Sequence, residues 1–255
     1  MAIHPAAAQG YTANSEVYAK GRPDYPPQVA DWLRADLGLA PGKVALDLGS
    51  GTGKFLPNLV ATGAAVLAVE PVDAMRARLI ERNPDVQAMA GSAEHIPLAD
   101  ASVDAVICAQ CFHWFANARA LAEIHRVLKP GGMLGLIWNV RDERVPWVSA
   151  ITGIIEPHSD GAPRYHTRQW RGLFPAHGFS PLAERVFPHR HTGSPEQVIV
   201  DRTLSISFIA ALPLARQEEI AAQLRALIAN TPELAGKTEV SYPYQTTAFS
   251  CRRMT

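Results

Sequence analysis

A glycine-rich turn constrains the fold of this chain more than any other feature of its sequence. Residues 44–48 form a short apolar run typical of a buried strand, and residues 49–53 read Gly-Ser-Gly-Thr-Gly before a helical pattern that ends near Ala61. Glycine adopts positive φ at little cost and lets the backbone approach a ligand closely. In open α/β sheets such ligands bind at the carboxyl ends of the strands. The segment therefore predicts a strand–turn–helix unit with a ligand over the turn.

Strands and helices alternate beyond this turn through the first part of the chain. The predicted strands are 44–48, 64–69, 86–89, 103–109 and 133–138, and the predicted helices are 27–38, 54–61, 73–83 and 117–128. Because each parallel crossover needs a helix, this alternation predicts an α/β fold with a doubly wound, mostly parallel sheet.

The second half of the chain is less regular. Residues 142–181 show no clear period. Further on, 182–190 reads as a strand, 194–209 and 214–229 as helices, and 240–250 as a closing strand. We find no repeat and no linker, so we expect a single domain over residues 1–255.

Composition excludes several classes of function. The 255 residues carry 24 Lys and Arg against 24 Asp and Glu, so no basic excess favours nucleic acid or an anionic membrane surface. No apolar run approaches the roughly 18–20 residues of a membrane span, and no secretory signal is recognisable. Three cysteines make no disulfide framework. We expect a cytoplasmic protein with a small-molecule substrate; the sequence leaves its oligomeric state open.

The glycine spacing and one carboxylate bear on the type of ligand. Glu70 lies 23 residues after Asp47, at the end of the second predicted strand, where a carboxylate accepts hydrogen bonds from ribose hydroxyls. A dinucleotide site requires G-x-G-x-x-G, but here Gly53 comes one residue early and Lys54 takes the third position. G-x-G-x-G after an acidic strand residue is instead the S-adenosylmethionine pattern, and Asp47 suits the positive charges of that cofactor. A nicotinamide-dependent oxidoreductase stays open as an alternative because Glu70 fits both cofactors.

A cysteine pair beside a histidine raises the question of a metal site. Cys108 and Cys111 precede His113, but the rest of the chain supplies no second ligand pair at a recognisable spacing. Cys108 also lies in a predicted buried strand, where cysteine packs as a small apolar side chain. We therefore expect no metal.

Four segments together resemble the class I S-adenosylmethionine-dependent methyltransferases. They are Leu46-Asp47-Leu48-Gly49-Ser50-Gly51-Thr52-Gly53, Ala68-Val69-Glu70-Pro71, residues 91–98 (Gly-Ser-Ala-Glu-His-Ile-Pro-Leu) and residues 128–132 (Leu-Lys-Pro-Gly-Gly). Residues 18–26, 110–115, 242–244 and 251–253 resemble more narrowly the small-molecule methyltransferases related to trans-aconitate methyltransferase.

The resemblance implies a complete architecture and an activity. The family has a seven-stranded sheet whose last strand is antiparallel, which would make 182–190 the sixth strand and 240–250 the last. Segments 1–27, 142–181 and 194–231 would then cap the active site. The implied activity is methyl transfer from S-adenosylmethionine to a small molecule, most favourably to a carboxylate or hydroxyl oxygen. A non-catalytic protein that binds the same cofactor remains as an alternative.

The resemblance also implies which residues hold the cofactor. Gly49 and Gly51 would pass under its methionine portion, Glu70 would take the ribose hydroxyls, and Arg22 with Tyr18 would close over the carboxylate. The adenine would lie between Pro71, Ser92, Ala93 and Glu94, and Gln110 would contribute its main chain. The full expected set is Tyr18, Arg22, Asp47, Gly49, Ser50, Gly51, Glu70, Pro71, Ser92, Ala93, Glu94 and Gln110.

The segment after the fourth predicted strand supplies the candidate residues for the methyl-acceptor site. His113 is the candidate catalytic residue there, as a base or a hydrogen-bonding group, with packing at the start of the next helix as the alternative. Trp114 and Trp138 are candidate pocket walls. A carboxylate acceptor needs no base, but it needs cationic partners. The arginines available in the expected cap are Arg141, Arg144, Arg164 and Arg168.

Overall fold

The computed structural model describes residues 22–161 and 163–254, which form a seven-stranded sheet in the order β3-β2-β1-β4-β5-β7-β6. The strands are β1 (Val44–Leu48), β2 (Ala65–Val69), β3 (Gln87–Met89), β4 (Val103–Ala109), β5 (Leu128–Arg141), β6 (Ala183–Gly193) and β7 (Val240–Arg252). Strands β1 to β5 pair in parallel, whereas β7 runs antiparallel to both β5 and β6. The α/β fold class predicted from the sequence, including the antiparallel last strand, is confirmed.

The α-helices are α1 (Val29–Ala35), α2 (Leu56–Val60), α3 (Asp73–Arg82), α4 (Ala118–Val127), α5 (Pro146–Ile155), α6 (Arg202–Leu204), α7 (Ser207–Ala210) and α8 (Leu214–Asn230). A π-helical turn, Glu196–Asp201, leads directly into α6, and short 3₁₀ turns occupy Phe112–Trp114, Glu156–His158, Tyr165–Thr167 and Gln169–Leu173. Among the residues described here, no helix combines the length and apolar composition that a membrane span requires.

Alternation of side chains along the strands divides the core between the two faces of the sheet. On β1, Leu46 packs in a cluster with Ile124 of α4, whereas the neighbouring Ala45 packs in a second cluster with Trp32 of α1 and Leu59 of α2. Successive strand residues point to opposite faces, so both faces are covered by helices. This burial explains why the strands read as continuous apolar runs.

Strand β5 begins earlier than its sequence predicts. The glycine segment 129–132 indicates a loop before a strand at Met133, but the strand extends back to Leu128. Its register against β4 shifts between Val103 and Ala105. The shift is a bulge that accommodates the extra residues within the strand, a use of irregular pairing that periodicity does not reveal.

The second half of the chain builds a third apolar cluster. Helix α8 matches its predicted helix, whereas the helix predicted over 194–209 divides into the π-helical turn, α6 and α7. The Ser205 hydroxyl donates to the Arg202 carbonyl oxygen at 2.7 Å, and Ile206 adopts an extended conformation that ends α6. Serine side chains compete with helical backbone bonds in this way. These helices pack with α5 and with Tyr242 of β7.

Candidate active site

A cavity of about 230 Å³ lies over the glycine turn, at the carboxyl ends of β1, β2 and β4. Every expected cofactor residue within the described part of the chain lines it, namely Arg22, Asp47, Gly49, Ser50, Gly51, Glu70, Pro71, Ser92, Ala93, Glu94 and Gln110. Tyr18 lies outside the described residues. The parallel sheet brings these residues together because its strands end at a common edge.

All three glycines of the turn have left-handed φ values, but Gly49 and Gly51 differ in their surroundings. Gly49 has φ +73°, and a Cβ built on it would lie 3.0 Å from Cys111 Sγ. Gly51 has φ +58°, and among the described residues a Cβ there would meet only Met75 Cε, at 3.8 Å. The turn is thus packed against Cys111 at Gly49, whereas the backbone at Gly51 stays open to a ligand.

Glu70 is held by the backbone of two neighbouring segments. Its Oε2 accepts a hydrogen bond from Gly51 N at 2.8 Å, and its Oε1 accepts one from Val72 N at 2.9 Å. The residue is only 5% exposed, and burial raises its pKa, opposed by these two backbone hydrogen bonds. Carboxylate oxygens accept more than one hydrogen bond each, so both can still receive hydroxyl groups.

Asp47 is buried in the cavity wall without a compensating donor. It is 1% exposed, and neither carboxylate oxygen accepts a hydrogen bond from residues 22–161 or 163–254. Burial raises its pKa to about 7; the negative charge of Glu70 adds to the shift and the nearby Ser50 hydroxyl opposes it. An unpartnered buried carboxylate is costly, and a bound cation would remove that cost.

A short segment at residues 22–25 lies across the cavity and joins three parts of the fold. Lys54 binds the Arg22 carbonyl oxygen and pairs with the Asp24 carboxylate at 3.1 Å. Asn139, at the end of β5, donates to the Asp24 carbonyl oxygen at 2.9 Å. Arg22 Nη2 donates to the carbonyl oxygen of Ser205, between α6 and α7, at 3.2 Å. The segment therefore links the glycine turn to the sheet and to the second half of the chain.

Two further residues complete the wall near β4. The ring of Tyr25 packs edge-on against Phe55 at 4.7 Å between centroids, and burial raises the pKa of its hydroxyl, a shift that the nearby side chain of Gln110 opposes. Gln110 has φ +63°, and its backbone N–H donates to the Ile137 carbonyl oxygen at 2.8 Å. This bond fixes the backbone where the chain leaves β4.

Sequence reasoning did not identify Lys54, Tyr25, Asn139 and Arg202 as site residues, although all four line the cavity. For two of them a signal was present. Lys54 directly follows the glycine turn, and Asn139 ends a strand at the edge where ligands bind. Arg202 had no such signal, because it comes from a helix distant in sequence.

The 3₁₀ turn Phe112–Trp114 places the side chains of His113 and Trp114 in different surroundings. Trp114 lines the cavity, whereas His113 and Trp138 are not among the lining residues. His113 Nδ1 accepts a hydrogen bond from Trp138 Nε1 at 3.1 Å, and Trp138 packs against Trp170 at 4.7 Å between ring centroids. Burial, then the positive charges of Arg22 and His166, lower the pKa of His113 to about 3. The catalytic role of His113 stays a prediction.

The cysteines beside the cavity are packed as apolar groups. Cys108 is fully buried in β4, and Cys111 Sγ donates to the Leu48 carbonyl oxygen at 3.1 Å. Burial raises the pKa of Cys111 well above its usual range. Over the described residues, no group of three or more His, Cys, Asp or Glu side chains is arranged to hold a metal ion.

Comparison with known proteins places the chain in a family. The methyltransferase domain family matches residues 46–136. An uncharacterized methyltransferase-like protein of Schizosaccharomyces pombe is 40% identical over 239 residues, covering 92% of each chain. An uncharacterized methyltransferase of Mycobacterium tuberculosis is 40% identical over 229 residues, covering 90% of this chain and 89% of its own.

The fold is also similar to that of solved methyltransferase structures. A Haemonchus contortus phosphoethanolamine N-methyltransferase, solved with S-adenosylhomocysteine, superposes with a TM-score of 0.60 at 14% identity, over 100% of this chain and 61% of its own. At that identity the match concerns the fold alone. The two relatives, by contrast, share sequence over nearly the whole chain. This protein therefore belongs to the class I S-adenosylmethionine-dependent methyltransferases.

Proposed function

We propose that this protein binds S-adenosylmethionine in the cavity over the glycine turn and methylates a small molecule, most favourably at a carboxylate or hydroxyl oxygen. When bound, S-adenosylmethionine supplies a methyl group on a sulfonium, which a nucleophile displaces. The observation that carries the proposal is the unpartnered carboxylate of Asp47 in the same cavity as the backbone-held carboxylate of Glu70. A cofactor with ribose hydroxyls and positive charge satisfies both.

The residues that line the cavity suit the ribose, the methionine portion and the adenine of this cofactor. Glu70 would accept hydrogen bonds from the ribose hydroxyls, and Asp47 would face the positively charged methionine portion. Gly51 leaves room for the cofactor because no side chain of residues 22–161 or 163–254 fills that side of the turn. Arg22 would bind the methionine carboxylate, together with Tyr18. Around the adenine we place Pro71, Ser92, Ala93, Glu94 and the main chain of Gln110.

The acceptor would enter between the sheet and the second half of the chain. Trp114, Asn139 and Arg202 line the cavity on this side. We propose that segments 1–27, 142–181 and 194–231 act as the cap over it, as the contact between Arg22 and Ser205 supports. Proton abstraction by His113 has less support than a positioning role through Trp138, since its Nδ1 is already occupied.

Calorimetric titration tests the cofactor assignment directly. The purified protein would be titrated with S-adenosylmethionine, S-adenosylhomocysteine and, as a control, NADH. We expect both sulfur-containing ligands to bind and NADH not to bind. Binding of NADH alone, or of none of the three, would reject the proposal.

Turnover then separates an enzyme from a protein that only binds the cofactor. Release of S-adenosylhomocysteine would be followed in the presence of carboxylic acids, phenols, alcohols and amines. We expect release with an oxygen acceptor. Cofactor binding with no consumption across all these classes would favour the non-catalytic alternative.

A further inference from the structure

The charged residues of the cavity separate into an acidic group and a basic group. Asp47 and Glu70 act on each other at the ends of β1 and β2. Arg22, Lys54 and Arg202 form the basic group, in which burial, and then the positive charges of Arg22 and Arg202, lower the pKa of Lys54. The acidic group suits the positive portion of the cofactor. The basic group has more positive charge than the methionine carboxylate alone would neutralise.

Two members of the basic group have partners. Lys54 pairs with the Asp24 carboxylate at 3.1 Å, and Arg22 donates to the Ser205 carbonyl oxygen and is proposed above to bind the methionine carboxylate. Arg202 is the third member of the group. Its Nε and Nη1 are buried, and neither donates a hydrogen bond to any residue that the structure describes. A guanidinium has only donors, so these atoms require an acceptor oxygen that the described chain does not supply.

Tyr242, which lies within electrostatic reach of Arg202, and its neighbour Tyr244 also carry buried polar atoms without a partner among the described residues. Tyr242 and Tyr244 of β7 are 1% and 2% exposed, and their rings stack at 4.9 Å between centroids. Neither hydroxyl has a hydrogen-bond partner in the described ranges. Burial and the neighbouring Tyr244 raise the pKa of Tyr242, and the charges of Arg141 and Arg202 oppose this shift. The Tyr242 phenol therefore stays protonated and remains a hydrogen-bond donor.

The arginines that the sequence analysis named as cationic partners for an acidic acceptor lie elsewhere in the fold, and two of them form ion pairs. Arg144 pairs with Asp142 at 2.7 Å, and Arg164 pairs with Glu156 at 2.7 Å. Arg168 lies between the 3₁₀ turns Tyr165–Thr167 and Gln169–Leu173, and its backbone is left-handed with φ +53°. Arg141, the last residue of β5, is the fourth of these arginines, and none of the four lines the cavity. Arg202, by contrast, lines the cavity and carries two buried donor atoms that have no acceptor among the described residues.

We propose that Arg202, assisted by the hydroxyl of Tyr242, binds an anionic carboxylate group of the methyl acceptor and so determines acceptor specificity. The assignment deepens the function proposed above and rests on it. A guanidinium binds a carboxylate through two parallel N–H···O bonds, and desolvation strengthens such a pair. The Tyr242 hydroxyl supplies a further donor to the same anion. A singly charged carboxylate also matches the single positive charge of Arg202.

The test uses simple acids as probes on the protein saturated with S-adenosylhomocysteine. Acetate, glutarate and tricarballylate would be titrated calorimetrically, each against the corresponding amide, which has similar shape and no charge. We expect at least one acid to bind about tenfold or more tightly than its amide, the scale of a charged hydrogen bond.

Variants then assign the binding to these residues. Arg202→Gln is expected to weaken acid binding about 10- to 100-fold and to leave S-adenosylhomocysteine affinity within about twofold of the parent. The matched control is Arg216→Gln, which removes an exposed arginine of α8 that pairs with Glu219. It should bind both ligands as the parent does. Tyr242→Phe keeps the ring and removes an unpartnered hydroxyl, so it should fold normally and bind the acid about threefold or more weakly.

The outcomes separate the two proposals. Failure of the parent protein to bind S-adenosylhomocysteine would reject the proposed function and this inference with it. Normal cofactor binding without any preference for acids over amides would reject the inference alone. So would an unchanged acid affinity in Arg202→Gln or, if that variant does not fold, in Tyr242→Phe.

Discussion

The indole N–H of Trp138 donates to Nδ1 of His113 at 3.1 Å, and this bond places the imidazole proton on Nε2. Because burial lowers the pKa of His113 to about 3, the ring stays neutral across the working pH range. The two residues come from β5 and from the 3₁₀ turn after β4. Their bond therefore joins the wall of the cavity that carries Trp114 to the centre of the sheet.

His113 is expected to contribute to stability. His113→Ala would leave the buried Trp138 N–H without an acceptor and should lower the free energy of unfolding by about 1–3 kcal/mol. His113→Asn keeps an acceptor near the position of Nδ1 and should lose less. Urea denaturation measures both, and cofactor affinity should be unchanged in the Asn variant. A stable Asn variant that binds cofactor but has lost turnover would identify His113 as a base instead.

Glu70 is expected to determine cofactor affinity. Glu70→Ala removes the acceptor proposed for the ribose hydroxyls and should weaken S-adenosylmethionine binding by about 1–3 kcal/mol, measured by calorimetry. It also leaves the N–H groups of Gly51 and Val72 without their partner, so thermal unfolding must be followed in parallel. Glu81→Ala is the control, since Glu81 is exposed on α3 and pairs with Arg78. An affinity equal to that of the control would remove Glu70 from the cofactor site.

Alanine substitutions in the glycine turn separate backbone strain from obstruction of the site. Gly51→Ala places a methyl group on the open side of the turn and should weaken cofactor binding roughly tenfold or more. Because Gly51 has a left-handed φ, the same substitution should also lower the free energy of unfolding by about 1–2 kcal/mol. Gly38→Ala has φ +67° and no atom within 4 Å of the added Cβ, so it carries the strain without the obstruction. Equal cofactor affinities in these two variants would show that the cofactor does not approach Gly51.

Local pattern made the glycine turn and Glu70 predictable, because strand, turn and carboxylate follow one another within one βαβ unit. The same reasoning predicted that His113 and Trp114, both after β4, would face the pocket, but only Trp114 lines the cavity. The 3₁₀ turn there decides which of the two lines the cavity, and three residues have no periodicity to reveal it. Arg202 was not predictable, since a break at Ser205 in an apparent single helix places it beside segments distant in sequence.

Asp47 is expected to make cofactor binding depend on pH. In the free protein its pKa is raised to about 7, so the carboxyl is largely protonated below that pH. A bound cation favours the ionised form and lowers this pKa, so binding releases a proton below about pH 7. Affinity should therefore rise with pH, by up to about tenfold per unit, and level off above pH 7. Calorimetry in buffers with different ionisation enthalpies measures the released proton.

The same carboxyl gives an opposite dependence for the stability of the cofactor-free protein. Its pKa is higher when folded than when unfolded, so the folded state binds more protons between about pH 4 and 7. Its contribution to the free energy of unfolding is fully present below pH 4 and is lost as pH rises through 7. Asp47→Asn cannot ionise, and it should remove both this loss of stability and the pH dependence of cofactor affinity. If the variant keeps the pH profile of the parent protein in either measurement, another group is responsible for that dependence.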